Sequence, residues 1–304
     1  MDKTVSVLLS SYNGEKYIRE MIDSILAQEN VSVKLIVRDD GSSDSTKDIL
    51  KEYKDRIAVD FAPNAGVGSS FMNLVYMASD ETDYYAFSDQ DDIWLPDKLS
   101  RAVTYLEGHT EPALYASNQT LVDADCNKIN DRHSVVPDHS IYQIVCNNKL
   151  SGCTMVWNKE LQQLLIRESS RPTKDLLVKR IHDVWVGAVA AATGSIYFDM
   201  ESGILYRQHE NNVVGVRKTK KLDLWKKKLN NPALRNGRSQ LAQELYNAYK
   251  DEINDPDVIE FLKMCALYRE DRTYRKKLLK STALTAYTGE SPLEFKAKVH
   301  ANLF

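Results

Sequence analysis

The stretch YYAFSDQDD, residues 84–92, joins an apolar run to three carboxylates that lie within four residues. The run from Tyr84 to Ser88 has the composition of a buried β-strand, and Asp89, Asp91 and Asp92 follow it directly. Because such close carboxylates repel one another, a bound cation is one explanation for the group, and Mn²⁺ or Mg²⁺ would favour its oxygen ligands. The alternative is a solvated acidic turn ahead of the next helix.

Three more apolar runs lie upstream of this stretch, and a helical pattern follows each of them. The runs extend from Val5 to Ser10, from Val33 to Val37 and from Ile57 to Phe61. Strands that alternate with helices predict an α/β fold with a parallel sheet. Ligands bind at the carboxyl ends of the strands in such sheets, so the polar residues that follow each strand are candidate site residues.

Polar side chains stand at the ends of two other predicted strands. Ser10 and Tyr12 lie at the end of the first strand, and Asp39 and Asp40 lie at the end of the second. Taken singly, such residues are also favoured in turns and at helix N-termini for purely local reasons. The convergence of three polar groups on one edge of the sheet is what favours a binding site.

The chain changes character near Val216, where it becomes Lys-rich and helical. We therefore predict an α/β domain over residues 1–215 and a helical, partly basic region over residues 216–304. Upstream of that boundary the pattern predicts helices from Asp97 to Glu107, from Leu161 to Glu168 and from Val184 to Ala192, and mixed strands and loops over residues 113–160. Downstream the predicted helices cover residues 222–229, 239–250, 258–272 and 276–286.

The composition excludes some classes of function. A formal net charge of -3 argues against general nucleic-acid binding, which requires a basic surface. The four cysteines have neither CxxC nor zinc-ligand spacing, so we expect reduced thiols in a cytoplasmic protein. The N-terminal sequence lacks the pattern of a signal peptide, and no stretch approaches the ~20 apolar residues of a membrane span.

One segment is strongly basic. Residues 217–238 carry nine Lys or Arg and one Asp, together with Trp225. Such a segment can lie on the anionic inner face of the cytoplasmic membrane as a peripheral contact. A solvated helix face or a homodimer contact is the alternative interpretation.

Three motifs taken together resemble the family 2 glycosyltransferases with a GT-A fold. They are VSVLLSSYNG at residues 5–14, IVRDDGSSD at residues 36–44 and FSDQDDIWLPDK at residues 87–98. The sequences HDVW at residues 182–185 and YRQH at residues 206–209 extend the resemblance to about residue 215. The resemblance implies transfer of a sugar from a nucleoside diphosphate donor, with inversion and with a divalent cation.

The resemblance also implies roles for individual residues at the donor side. Asp40, with Asp39 beside it, would hydrogen-bond the base of the donor, and Ser10 and Tyr12 would form the edge of the nucleotide pocket. In the third motif, Asp91 would bind the metal directly and Asp89 would contact the ribose or the sugar, although the adjacent Asp92 leaves this assignment ambiguous.

Two residues further along the chain receive roles in the same way. Asp183, rather than His182, would be the general base for the acceptor hydroxyl, and a helix cap is the alternative. His209 would complete the metal shell or touch the diphosphate, and an ordinary surface histidine is the alternative. Trp185 lies next to the proposed base, so we expect its ring to face the acceptor, and a core or wall position is the alternative.

Within the family, the sequences of the motifs at residues 88–94 and 182–185 are similar to those of bacterial enzymes that make surface polysaccharides, including rhamnosyltransferases that use dTDP-rhamnose. The expected acceptor is a saccharide or a lipid-linked saccharide. A UDP-hexose donor remains the alternative within the family. A nucleotidyltransferase would require a Gly-rich basic loop after the first strand, which residues 10–14 do not provide. A binding module without catalysis is the remaining alternative.

Overall fold

The structure is a computed structural model that describes residues 3–78, 82–209 and 235–304. These residues group into two compact units. The first unit contains residues 3–78, 82–137, 151–166 and 195–209, and the second contains residues 138–150, 167–194 and 235–304. The second unit therefore includes segments that precede residue 216. The predicted domain boundary at residues 215–216 lies outside the described ranges and stays a prediction.

A single sheet of nine strands, among the described residues, organises the first unit. The strands are β1 Thr4–Ser11, β2 Ser32–Asp39, β3 Ala58–Phe61, β4 Tyr84–Ser88, β5 Ile93–Trp94, β6 Ala113–Val122, β7 Lys128–Asp131, β8 Val156–Asn158 and β9 Ser195–Arg207. Their order is β3-β2-β1-β4-β8-β6-β9-β5, and β7 pairs with β6. The first four strands are parallel to one another, as predicted, whereas β8 is antiparallel to both of its neighbours.

The helices are numbered in chain order. The first unit contains α1 Ile18–Leu26, α2 Thr46–Glu52, α3 Val67–Met77, α4 Lys98–Leu106 and α6 Lys159–Leu165. The second unit contains α5 Ile141–Asn147, α7 Lys174–Lys179, α8 His182–Thr193, α9 Gly237–Tyr249, α10 Pro256–Leu267, α11 Arg272–Lys280, α12 Thr282–Thr288 and α13 Pro292–His300. No helix in the described ranges combines the length and the apolar character that crossing a membrane requires.

The core of the first unit explains why its opening βαβα pattern could be read from the sequence. Alternate residues of β1 enter one hydrophobic cluster together with the apolar stripe of α1. The stripe consists of Ile18, Met21, Ile22 and Ile25, which recur at helical spacing and are fully buried. Burial of each such side chain stabilises the fold by ~1.5–3 kcal/mol.

The register of the parallel strands confirms the predicted convergence of polar residues. Ser11 of β1 lies beside Asp39 of β2, and Leu9 of β1 lies beside Ser88 of β4. The backbone N–H of Asp40 continues the ladder by donating to the carbonyl of Ser11 at 2.8 Å. The carboxyl ends of three strands therefore meet at one edge of the sheet.

Two sequence predictions of secondary structure are wrong. The region of strands and loops predicted over residues 113–160 contains helix α5, whose first turn is capped by Ser140 and whose Gln143 donates to the carbonyl of Tyr287 at 3.1 Å. The single helix predicted over residues 276–286 is two helices, because Ser281 ends α11 and caps the N-terminus of α12 through Leu284 N–H. Long-range and capping contacts outweigh local pattern at both places.

The four cysteines are free thiols, in agreement with the expectation from the sequence. Most of the basic segment 217–238, including Trp225 and the helix predicted over 222–229, lies outside the described residues. Arg238 is described, and its guanidinium is turned towards the protein. It donates to the carbonyl of Cys146 at 2.7 Å and pairs with Glu290 at 2.9 Å.

Candidate functional site

The loop of residues 89–92, called the carboxylate loop below, follows β4 at the sheet edge and sends its side chains in different directions. Asp91 points towards His209, and its Oδ2 lies 2.8 Å from Nε2 of the imidazole. Both side chains are partly exposed, at 18% for Asp91 and 14% for His209. The structure thus brings together the two residues that the sequence analysis assigned to a metal, although they are 118 positions apart.

The pairing of β5 with β9 places His209 beside the loop. Ile93, directly after the carboxylate loop, lies opposite Leu205 in an antiparallel register. The next link is a side-chain contact, since Oδ1 of Asp92 accepts the backbone N–H of Arg207 at 3.2 Å. The end of β9 is therefore fixed against the loop from which Asp91 projects.

An aromatic and charged layer at the N-terminus of α1 supports His209. The ring of Tyr17 lies 5.1 Å from the imidazole, measured between ring centroids. The guanidinium of Arg207 lies 4.5 Å from the centre of the same ring and pairs with Glu20 at 2.6 Å. These contacts hold the end of β9 on the surface of α1, so His209 is not an isolated surface residue.

Asp92 points into the protein instead of towards the edge. Its side chain is buried, and burial raises the pKa of its carboxyl well above the usual range. Burial also raises the pKa of the neighbouring Cys153 thiol. Oxygen atoms of Asp89 and Asp92 and the sulfur of Cys153 all lie within 4.8 Å of one another. This inner cluster combines two acids whose ionisation is disfavoured by burial with Asp89, which lies nearer the surface.

Lys98 is also buried next to this inner cluster. Desolvation lowers the pKa of its ammonium to about 7. The Nζ atom lies 3.7 Å from the centre of the Trp94 ring and, among the described residues, has no hydrogen-bond partner. The cation–π contact offsets part of the cost of burying this group.

Gln90 joins the carboxylate loop to the turn after β1. Its Oε1 accepts the backbone N–H of Tyr12 at 2.8 Å, and its Nε2 donates to the carbonyl of Tyr12 at 3.1 Å. The ring of Tyr12 itself is 50% exposed. The turn that carries Tyr12 is therefore attached to the loop that carries Asp91.

Asp39 and Asp40 are buried at the end of β2 and are bonded to neighbouring loops. The carboxylate of Asp39 accepts the N–H of Ser42 at 3.0 Å and its hydroxyl at 2.5 Å. The two oxygens of Asp40 accept the backbone N–H groups of Ala65 and Gly66 at 2.9 and 3.0 Å. Gly66 has a φ of 83°, a value that favours glycine. Both carboxylates therefore shape the loops around this edge of the sheet.

Ser10 lies on the α3 side of the edge. Its hydroxyl forms a 2.7 Å hydrogen bond with the hydroxyl of Ser70 in α3. The predicted nucleotide residues Ser10, Tyr12, Asp39, Asp40 and Asp89 thus all belong to the first unit and surround the carboxyl ends of β1, β2 and β4.

The predicted general base lies in the second unit. Asp183 is half-buried in the first turn of α8, and its Oδ1 accepts the N–H of Val184 at 2.7 Å. The adjacent His182 is buried, and desolvation lowers its pKa to about 3, so its imidazole is neutral near pH 7. Of the two neighbours, Asp183 is the one whose side chain is partly exposed to solvent.

Trp185 is 1% exposed, and its ring packs 6.1 Å from that of Tyr249 in α9. The predicted acceptor contact requires an exposed ring face, and the structure provides none. A large apolar ring in the middle of a helix that is buried on all sides contributes to the core of the second unit instead.

Sequence reasoning overlooked Gln90, Cys153 and Lys98. Glutamine between two acidic residues resembles an ordinary loop residue, and the chemistry of Cys153 and Lys98 depends on burial by distant strands. The sequence contains one signal for the role of Gln90, which is Gly14, because a glycine can mark a close approach of two chain segments. In the structure the side chain of Gln90 lies against Gly14.

Comparison with known proteins matches this arrangement to one family. The family model described as "Glycosyl transferase family 2" matches residues 6–149. The dTDP-rhamnosyl transferase RfbG of Shigella flexneri is 30% identical over 220 residues, which cover 68% of this chain and 73% of that protein. The putative teichuronic acid biosynthesis glycosyltransferase TuaG of Bacillus subtilis is 29% identical over 177 residues, 57% of this chain and 69% of that one.

Among solved structures, residues 1–349 of TarS from S. aureus superpose with a TM-score of 0.58 at 15% identity. The match covers 97% of this chain and 80% of the TarS fragment. A likeness at this identity shows a shared fold, and the predicted GT-A fold with a helical C-terminal region is confirmed.

Proposed function

Because the chain belongs to glycosyl transferase family 2, we propose that it transfers rhamnose from dTDP-rhamnose to a saccharide or lipid-linked saccharide acceptor, with inversion at the anomeric carbon. Glycosyl transfer from a nucleotide-sugar donor follows from the family. The rhamnosyl donor is supported by the similarity to the dTDP-rhamnosyl transferase of Shigella flexneri. The similarity to the putative teichuronic acid enzyme of Bacillus subtilis supports a role in cell-surface polysaccharide synthesis.

The observation that carries the proposal is the contact between Asp91 and His209 at the carboxyl edge of the sheet. A carboxylate oxygen and an imidazole nitrogen that face each other are two ligands suited to Mn²⁺, and the carboxylate also suits Mg²⁺. When bound there, such a cation would stabilise the negative charge that develops on the departing diphosphate.

The inner cluster fits such a cation less well. Oδ1 of Asp92 already accepts the N–H of Arg207, and its side chain is buried. Cys153 supplies a sulfur, which is a softer ligand than Mn²⁺ or Mg²⁺ prefers. We therefore assign Asp91 and His209 to the cation and give Asp92 the task of holding the end of β9.

On the donor side, we propose that the base and ribose bind across the ends of β1 and β2. Asp40, with Asp39 beside it, would accept a hydrogen bond from the base, and Asp89 would contact the ribose or the sugar. Ser10 and Tyr12 would line the edge of the pocket, where the exposed ring of Tyr12 offers an apolar face.

On the acceptor side, we propose that a carboxylate oxygen of Asp183 takes the proton of the acceptor hydroxyl. The hydroxyl oxygen then forms a bond to the anomeric carbon while the bond from that carbon to the diphosphate oxygen breaks. The products are a glycoside of inverted configuration and the nucleoside diphosphate. The position of Asp183 in the first turn of α8 favours the ionised carboxylate that this role requires.

The setting of the reaction follows from the acceptor. A lipid-linked acceptor would be met at the inner face of the cytoplasmic membrane, and the basic residues 217–238 supply the charge for a peripheral contact there. A homodimer contact through the same segment stays an open prediction.

The test is donor turnover. Purified protein with Mn²⁺ is incubated separately with dTDP-rhamnose, UDP-glucose, UDP-galactose and UDP-N-acetylglucosamine, and the released nucleoside diphosphate is measured. We expect release from dTDP-rhamnose that requires the metal and is lost in Asp91→Ala.

The matched control is Asp97→Ala, which removes an exposed carboxylate further along the chain that pairs only loosely with Arg101 at 3.8 Å. This variant should keep wild-type turnover. Preferred release from a UDP-hexose would replace the rhamnosyl assignment, and wild-type turnover by Asp91→Ala would refute the metal assignment.

A further inference from the structure

The amide of Gln90 makes a reciprocal pair of hydrogen bonds with the backbone of a single residue. It accepts from the N–H of Tyr12 and donates to the carbonyl of Tyr12, at 2.8 and 3.1 Å. Two antiparallel bonds to the backbone of one residue fix the distance between the segments and their relative orientation, which a single bond does not. The two segments are the carboxylate loop and the turn of residues 11–14, called the Tyr12 turn below.

Gly14 leaves the space that the amide of Gln90 occupies. A Cβ atom at residue 14 would lie 2.3 Å from Oε1 and 2.7 Å from Cδ of Gln90. Gly14 is not among the glycines with positive φ, so its backbone conformation is open to other residues. The side chain of Gln90 and the lack of a side chain at residue 14 are therefore complementary.

The other flank of the Tyr12 turn is fixed on the nucleotide side. The N–H of Asn13 donates to the hydroxyl of Ser42 at 2.9 Å, and that hydroxyl donates to the carboxylate of Asp39 at 2.5 Å. The turn is thus held between Gln90, next to Asp91, and the group that contains Asp39.

We propose that Gln90 is a positioning residue that locks the Tyr12 turn to the carboxylate loop and thereby sets the affinity for the donor nucleotide. The proposal rests on the proposed function, because it takes these two segments as the walls of the donor pocket. Gln90 acts through Tyr12 and needs no contact with the donor itself.

If Gln90 served only to stabilise the fold, its replacement would lower the melting temperature and leave nucleotide affinity unchanged. Both bonds of Gln90 are exposed to solvent, so water can replace them in the free protein at little cost to folding. Their loss instead frees the Tyr12 flank of the turn, while Asn13 stays bonded to Ser42, and the nucleotide must then order the freed flank on binding. The effect should therefore appear in nucleotide affinity and leave the melting temperature nearly unchanged.

The experiment is a double-mutant cycle measured by calorimetric binding of dTDP in the presence of MnCl₂. The proteins are the wild type, Gln90→Met, Gly14→Ala and the double variant. Methionine keeps the length of glutamine and removes both hydrogen bonds. Each single variant should bind dTDP about fivefold more weakly, which corresponds to ~1 kcal/mol for a pair of exposed bonds.

The double variant should bind no more weakly than either single variant. The Gly14→Ala substitution acts only by displacing the amide of Gln90, so its effect disappears once that amide is gone. Additive losses in the double variant, or unchanged affinity in Gln90→Met, would overturn the proposal.

Gln28 provides a control in the interior, because its amide also donates one hydrogen bond to the backbone and accepts another, although from two different residues. It donates to the carbonyl of Leu95 at 2.7 Å and accepts the N–H of Leu99 at 3.0 Å. Gln28→Met should lower the melting temperature and leave dTDP affinity unchanged. If the wild type binds neither dTDP nor UDP, both the proposed function and this proposal are overturned. If the wild type binds dTDP but the cycle does not give the expected result, only the proposal for Gln90 is overturned.

Discussion

Each of the two units contains a pair of adjacent polar residues whose side chains differ in exposure. The pairs are Asp91 with Asp92 in the first unit and Asp183 with His182 in the second. One member of each pair is partly exposed, and the other is buried, with 1% exposure for Asp92 and 4% for His182. The comparison shows that adjacent polar residues in one motif can serve different purposes. The partly exposed member can touch a ligand, while the buried member acts through packing and hydrogen bonds.

Burial has the same physical effect on both inner residues, although their pKa values move in opposite directions. Desolvation raises the pKa of the Asp92 carboxyl and lowers the pKa of the His182 imidazole to about 3. In each case the neutral form is favoured, because transfer of a charge into the interior is costly. The two outer residues, Asp91 and Asp183, are the ones for which we propose ligand contacts.

The largest expected effect on turnover comes from the first pair, Asp91 and Asp92. Asp91→Asn should lower turnover by more than about a thousandfold, because it removes a charged ligand of the proposed cation. Asp92→Asn should stay within several-fold of the wild type, because the new amide oxygen can still accept the N–H of Arg207. Steady-state rates with dTDP-rhamnose and Mn²⁺ measure both. Equal losses in the two variants would erase the distinction between the outer and the inner carboxylate.

The substitution Asp92→Ala tests the difference between Asp91 and Asp92 through the free energy of unfolding. The N–H of Arg207 would lose its acceptor in a buried place, which costs ~1–3 kcal/mol of unfolding free energy. Urea unfolding of Asp91→Ala, by comparison, should match the wild type. A stable Asp92→Ala protein would show that the end of β9 does not depend on this contact.

The second pair gives the next largest effect. Asp183→Asn should lower turnover by about a hundredfold to a thousandfold, the range for loss of a general base. Its stability should be preserved, since an asparagine oxygen can accept the N–H of Val184 as the carboxylate does. His182→Gln should retain turnover within about tenfold, because the imidazole is buried. A larger loss in His182→Gln than in Asp183→Asn would transfer the base to the histidine.

How much of the fold was predictable depended on the range of the contacts that form each element. β1 to β4 and their helices could be read from the sequence because apolar periodicity and turn residues are local signals. β9 and the short β5 were not predicted, because each exists through pairing with a distant strand. Helix α5 has a β-branched composition that locally favours a strand, and contacts from the C-terminal region stabilise it as a helix.

The candidate site shows the same limit at the level of single residues. Motif resemblance selected Asp91 and His209, and the structure places them in contact. It could not show that Asp92 turns inward or that Trp185 is buried, since side-chain direction is set by the strands and helices that pack around each residue. Gln90 was missed because its importance lies in the shape of its contact and not in its chemical type.

The smallest expected effect concerns the pH dependence of stability at His182. The unfolded chain binds a proton on this residue below pH ~6.5, whereas the folded protein resists protonation down to a pKa of about 3. Unfolding is therefore coupled to proton uptake between these values, and the free energy of unfolding falls as the pH decreases through that window, by up to ~1.4 kcal/mol per pH unit. His182→Gln has no such proton to bind, so between pH ~6.5 and pH ~5 it should lose ~2 kcal/mol less stability than the wild type in urea unfolding. Parallel pH profiles for the two proteins would mean that His182 is accessible to protons in the folded state, which would contradict its burial and reopen its candidacy as the base.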